Sequence, residues 1–386
     1  MDALRDEPGY NPPKRRLVFK ERPRSRERIK PRALVLNRAY QQALLSPENV
    51  AQGFKRLMGT NSPITFAASG VTMSPEECSA EIIRTLLAQV KTESGDTQIE
   101  GAVVTIPAAF NQMQSEATLR AAEAAGLNRV GLLQEPIAAA MASISHSKVK
   151  SGQFLVYDLG GGTFDVALVQ SINGSVNIVA HEGINMLGGR DFDRAIVNSI
   201  VRPWLLSQFS LPENFQADPR FQRLIGVARF AAERAKIELS ASEKAVIFAG
   251  DEEVRVRDNA GNDIYLSIEI SRADIESLIE SQVADSISLC RKIIKDNGYS
   301  NEDIDRIVLI GGPSKTPGIR SRIPQELGIP ADLQTDPMTA VAIGAAIFAE
   351  SREWGEGATT GVSSANWPTT SSPSTPRTRR WQRWRG

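Results

Sequence analysis

The sequence predicts an α/β fold made of two related halves, on three observations. Strand-like and helix-like segments alternate, which argues for a sheet with helices on its faces. Both halves repeat a strand, glycine, helix order, the pattern of a duplicated unit rather than a short-period repeat. At 386 residues the chain can also bury at least two substantial cores.

Residues 1–32 read as a basic, proline-rich segment. Eleven Lys/Arg face five Asp/Glu there, and only Leu17-Val18-Phe19 is strand-like. A globular pattern runs from 33 to 350. Ser74-Pro75-Glu76-Glu77 opens a helix as a capping box, with Ile82, Leu86, Leu87 and Val90 following at helical spacing. The run 102–106 is a buried strand ended by Pro107. An Ala-rich helix over 112–125 stops at Gly126, and a strand at 129–133 and a helix at 136–147 complete the first series.

The second series begins with a strand at 153–157 and turns through Gly160-Gly161-Gly162. Strands at 163–170 and 174–182 follow, then helices at 190–208 and 217–240. Strand-like pieces at 244–249 and 262–268 precede a long amphipathic helix over 271–296. Strand 306–310 leads into Gly311-Gly312, a helix follows Thr316-Pro317, and an Ala-rich helix spans 337–350. Past 355, Ser, Thr, Pro and Gly give way to Arg and Trp. This tail, with Trp354, Trp367, Trp381 and Trp384, reads as disordered.

Composition narrows the function classes. The chain is 41% apolar and 23% charged, and Lys+Arg equals Asp+Glu at 45 each, so net charge exerts no pull toward nucleic acid or an anionic membrane. With His146 and His181 the only histidines, a histidine metal site or a Ser-His-Asp triad is disfavoured. Cys78 and Cys290 are too few and too far apart for a disulfide framework or a zinc site, and read as two reduced thiols. No apolar run reaches the roughly 18–20 residues of a membrane span, and no signal-peptide core is present. A cytoplasmic protein is expected.

The sharpest chemical signal is Tyr157-Asp158-Leu159-Gly160-Gly161-Gly162-Thr163-Phe164-Asp165. An apolar strand delivers an Asp, three glycines reverse the chain, and a second strand leaves with a hydroxyl and another Asp. Glycine lets backbone N–H groups approach a phosphate closely, and Asp158 can hold a hydrated Mg²⁺ beside it. A plain Gly-rich hairpin is the competing reading, although Asp is disfavoured in strands. Gly311-Gly312, opening toward a helix, and Gly188-Gly189 are weaker turns of the same kind. Three such turns at element boundaries strengthen one another.

These residues carry a resemblance. Asp158–Asp165 resembles the second phosphate hairpin of the actin-like ATPases. Phe54–Gly59, Val104–Asn111, Gln134–Ala140, Gly188–Asp193, Glu233–Ser240 and Asp336-Pro337 with Ala340–Ala346 resemble, in order, segments of the DnaK-type heat-shock chaperones (the heat shock protein 70 family). The resemblance implies an actin-like, ribonuclease H-like duplicated two-lobed domain with ATP or ADP and Mg²⁺ in the cleft. The expected division is a basic segment 1–32, a first lobe 33–150, a second lobe 151–350 carrying the adenosine-binding subdomain, and the tail 351–386.

The roles it implies fall on particular residues. Lys55 would set a positive charge by the γ-phosphate and orient the attacking water, Glu135 would aim at metal-bound water, and Thr163 would hold the nucleophilic water. Asp158 and Asp165 would serve the metal. Gly160, Gly161, Gly162, Gly188, Gly189, Gly311 and Gly312 would cradle phosphates and ribose. Lys315 would lie beside adenine, where the family usually has Arg, and Glu233, Lys236 and Ser240 would bind adenosine from one helix face. By themselves the same residues also read as an exposed basic pair at Lys55-Arg56, a helix N-terminal carboxylate at Glu135, a β-branched strand residue at Thr163 and a salt-bridged surface face at 233–240.

Departures from the family set further expectations. No counterpart of its first Asp-x-Gly-Thr-Thr hairpin occurs, so the first lobe is expected to be incomplete, N-terminally truncated, and hydrolysis weakened or lost. Ser115 stands in place of an Arg used with J-domain partners, which puts that coupling in doubt, while nucleotide-exchange factors remain expected partners. Met338 replaces an acidic residue, and no peptide-binding domain follows residue 350. The alternatives are a non-enzymatic regulator that binds chaperone partners, or a gene fragment.

Overall fold

The computed structural model describes residues 39–40, 42–43, 49–67, 69–94, 99, 101–146, 150–352, 354, 360–362 and 364–366. The basic segment 1–32, its strand-like Leu17-Val18-Phe19 and most of the tail past 355 lie outside the described residues.

In the first half, a ribbon of β1 (Ile64–Phe66) and β2 (Val71–Met73) precedes helix α1 (Pro75–Ser94). The capping box forms: Glu77 donates its N–H to Ser74 Oγ (3.1 Å), and Ser74 donates its own to Glu77 Oε2 (2.8 Å). Strands β3 (Ala102–Ile106) and β4 (Val130–Gln134) pair in parallel, joined through α2 (Gln112–Ala124), as strands with a helical crossover must. Helix α3 (Glu135–Ser145) leaves directly from β4.

The second half opens with a meander of β5 (Gly152–Leu159), β6 (Thr163–Ile172) and β7 (Ser175–Asn185). Helix α4 (Gly189–Ile196) passes through a π turn at Val197–Val201 into α5 (Arg202–Gln208), and α6 (Gln222–Glu238) follows. A ribbon of β8 (Lys244–Ala249) and β9 (Leu266–Ser271) leads to α7 (Arg272–Asp296). Then β10 (Arg306–Ile310) adds in parallel to β5, before α8 (Pro317–Leu327) and α9 (Ala340–Glu350). The strand expected at 262–268 starts later because Asn262 donates its N–H to Asp258 Oδ1 (2.8 Å), which ties it into a loop.

The tail differs from expectation where it is described. Short strands β11 (Thr360–Val362) and β12 (Ser364–Asn366) extend the free edges of β4 and β7. Trp354 lies against Gly101 and Gly131 and donates its indole N–H to the Ala349 carbonyl (3.2 Å). Composition announces disorder but cannot show that open sheet edges offer unpaired backbone groups.

The alternation of side chains along the strands builds two cores from one sheet. Leu155 and Tyr157 on β5, with Ile307 and Leu309 on β10, join the cluster under α4, α6, α7 and α8. Phe154, Val156, Val308 and Ile310 point the other way, onto α3 and Phe348 of α9. Helices α3 and α9 approach closely because their contact is made of alanines and Gly344, where a Cβ would collide with the Ala138 carbonyl. Cys78 and Cys290 are buried and unbridged. No described helix is long and apolar enough to cross a membrane.

Candidate nucleotide site

The Gly160-Gly161-Gly162 turn is held in place by its flanks. Tyr157, Leu159 and Phe164 are fully buried, and Asp158 stands opposite Asp165 in the β5–β6 register. Two other glycine turns lock onto it. Gly189 and Arg190 donate their N–H groups to the carbonyls of Gly160 (3.0 Å) and Gly161 (2.9 Å). Gly188 has no room for a side chain, since a Cβ would lie 2.5 Å from Gly162 N and 2.7 Å from Gly160 O. Gly311, at φ 87°, needs glycine twice over: the left-handed backbone disfavours other residues, and a Cβ would strike the Leu159 carbonyl. The three turns expected to act together are thus in contact, although 151 residues separate Gly160 from Gly311.

A charged cluster faces the same hairpin. A 3₁₀ turn at Phe54–Leu57 presents Lys55, whose Nζ pairs with Glu135 Oε1 (2.7 Å) at the start of α3. Burial pushes the Asp158 carboxyl up to about 7, helped by Glu135 and Asp165 and opposed by Lys55. Asp165 is raised too, by burial first and Glu135 next, against a hydrogen bond from Thr163 and the charges of Lys55 and His181. Lys55, Glu135, Asp158, Thr163 and Asp165 therefore form one neighbourhood.

Carboxyls pushed upward in this way are stabilised by a cation, so Asp158 and Asp165 fit a metal. Among the described residues no three His, Cys, Asp or Glu side chains gather to cage an ion. The fit is to a cation that keeps water and phosphate oxygens, as Mg²⁺ does. The glycine contacts that exclude any Cβ equally suit the close approach of phosphate to backbone.

The family model for Hsp70 protein matches residues 30–353. The chain belongs to the Hsp70 family. The match spans both halves, and with it come the actin-like two-lobed fold and a nucleotide-binding chaperone domain; Hsp70 ATPase domains use ATP or ADP with Mg²⁺.

In this Hsp70 chain the adenosine face is already engaged by the protein's own groups. Glu233 and Lys236 lie on α6, but Ser240 sits beyond its end at Glu238, so the single helix face expected for all three stops one residue past Lys236's own turn. Lys236 Nζ donates to the Gly189 carbonyl (2.9 Å) and pairs with Asp193 Oδ1 (2.5 Å), tying α6 to the start of α4. Burial holds Asp193 up at about 6 in spite of that partner. Lys236→Met is expected to cost about 1–2 kcal/mol at pH 8, as a buried acceptor loses its donor. The cost shrinks at pH 5, where Asp193 is protonated; urea melts at the two pH values check this.

Glu233 accepts a hydrogen bond from the Tyr40 hydroxyl, and the Tyr40 ring lies 5.0 Å from that of Phe230. Lys315 Nζ pairs with Asp336 Oδ1 (3.0 Å) just beyond the Gly311-Gly312 turn, both side chains largely in solvent. The sequence reading missed Tyr40, Asp193 and the Arg190 side chain. Only Asp193 left a trace, at three residues from Arg190 on a helix opening at a glycine pair; a contact across 193 residues, such as Tyr40 with Glu233, leaves none.

Proposed function

We propose that this chain is the nucleotide-binding domain of a DnaK-type chaperone, working in the cytoplasm, which holds ATP or ADP and turns it over weakly or not at all. The interlocking of the Gly160–Gly162, Gly188-Gly189 and Gly311-Gly312 turns carries the reading, because three remote segments give up side chains at one place.

Asp158 and Asp165 would hold a hydrated Mg²⁺, which supplies charge neutralisation at the phosphates. Lys55 would add positive charge at the terminal phosphate, and Glu135 and Thr163 would position water. Glu233, Lys236, Ser240 and Lys315 would serve the nucleoside end. Turnover is weak in this reading because the 386 residues contain one strand–Asp–glycine hairpin, where the family sets two against the phosphates, and the first lobe is correspondingly incomplete. A single lost donor in such a site costs roughly 10²–10³ in rate.

Titration with labelled ATP and Mg²⁺, followed by a phosphate-release assay, tests both parts. Saturable binding with release no faster than the uncatalysed background is expected. No binding at millimolar nucleotide would overturn the reading. A second reading, a regulator that captures chaperone partners without nucleotide, is favoured by the engagement of Glu233 by Tyr40 and of Lys236 by Asp193. Capture of a nucleotide-exchange factor, undiminished when ATP is absent, would decide for it.

A further inference from the structure

We infer that Arg56 and Arg190 form a cationic clamp over the Gly160–Gly162 turn, which binds the terminal phosphates of a nucleotide without a metal ion; this rests on the nucleotide-binding reading. Both guanidiniums converge on the turn from different segments. Arg190 Nε donates to the Gly161 carbonyl (3.1 Å), alongside its own backbone N–H, and Arg56 Nη2 donates to the Gly162 carbonyl. A Cβ at Gly162 would collide with the Arg56 guanidinium and lie 2.7 Å from Arg190 Nη2. One at Gly53, beside the turn that carries Arg56, would lie 3.1 Å from that same Arg190 nitrogen. Glycine at 53 and at 162 is therefore what seats the two side chains together.

Their charges are not cancelled locally. Among the described residues neither guanidinium pairs with a carboxylate; the adjacent Asp191 pairs with Arg194 instead (3.5 Å), and Glu135 with Lys55. Two like charges meeting at one glycine repel each other, and an anion between them relieves that repulsion. Each guanidinium carries five N–H groups in a planar fork, and the turn's carbonyls take few of them. The remaining donors match phosphate oxygens two at a time, a geometry that an ammonium cannot supply. The clamp lies on the turn whose other flank carries Asp158, so phosphates can be gripped by protein cations whether or not those carboxylates hold a metal.

The test titrates the full chain and its Arg56→Gln and Arg190→Gln variants with labelled ATP, in Mg²⁺ and in EDTA, with adenosine and inorganic triphosphate as competitors. Wild type is expected to keep its ATP affinity in EDTA within about threefold, because fixed guanidiniums rather than an ion bind the phosphates. Each substitution should weaken ATP in EDTA about tenfold, the effect of losing a charge-assisted hydrogen bond. Adenosine should compete equally on all three proteins, and triphosphate should displace ATP from wild type more readily than from either variant. Both side chains are exposed, so the variants are expected to fold.

Loss of wild-type ATP binding in EDTA, with binding in Mg²⁺ intact, overturns the clamp and leaves the nucleotide reading standing. Variants that keep wild-type affinity, or that lose adenosine as much as ATP, overturn it as well. Absence of any nucleotide or adenosine binding removes the nucleotide reading itself.

Discussion

Gly344→Leu is expected to destabilise the protein by about 3 kcal/mol or more, the upper range for overpacking a tight contact. Helices α3 and α9 meet through Ala138 and Gly344, and even a Cβ at 344 would overlap the Ala138 carbonyl. Backbone cannot turn aside as a flexible side chain can, so the helices must separate. Separation opens voids around Ile137, Met141 and Phe348, all buried in the cluster that the two helices share with the sheet. Gly344→Ala should give part of the same loss. Ile343→Leu is the control: its neighbouring side chain is 38% exposed, and a change of shape there should stay within about 0.5 kcal/mol. Urea midpoints for the three variants check the order; an unchanged midpoint for Gly344→Leu would mean that the helices do not rely on this contact.

Asp158→Asn is expected to have opposite effects with and without metal. The carboxyl titrates near 7 in the folded protein, against an ordinary value of 3.8, chiefly because burial disfavours its charge. Its proton is therefore held by the folded state and released by the unfolded chain between roughly pH 4 and pH 7. The stability it contributes is complete below the ordinary value and is lost as pH rises through 7. Asparagine cannot ionise and escapes that loss. The variant should thus gain on wild type between pH 5 and pH 8 by about 2 kcal/mol, below the roughly 4 kcal/mol ceiling that the shift allows. Added Mg²⁺ should raise the melting temperature of wild type at pH 8 and leave the variant unmoved. A gap independent of pH would show that Asp158 ionises as an ordinary carboxylate does.

Much of the fold is readable from local pattern. The strand–glycine–strand segment at 153–170 is visible because apolar runs and glycines sit where β5, the turn and β6 sit. The helix opened by Ser74 and the one ended before Gly126 follow from capping chemistry. What escapes is long-range. Gly188 and Gly311 look like ordinary turn glycines until the hairpin they touch is in place. Lys236 reads as a surface charge, because nothing near it in sequence reveals Asp193. Ser240 fits helical spacing, yet α6 ends before it. Arg190 reads as one residue of a motif, and only assembly places its guanidinium beside that of Arg56.

Strand β5 carries a consequence for how this molecule comes apart. Its odd-numbered side chains, Leu155 and Tyr157, belong to one apolar cluster, and its even-numbered ones, Phe154 and Val156, to the other. Neither cluster can melt while the other stays intact, since the same backbone pins both. Cooperativity is thereby wired into the pleat: the central sheet and the helices on both its faces unfold as one unit, whereas the ribbons β1–β2 and β8–β9, each paired only with itself, are free to open first.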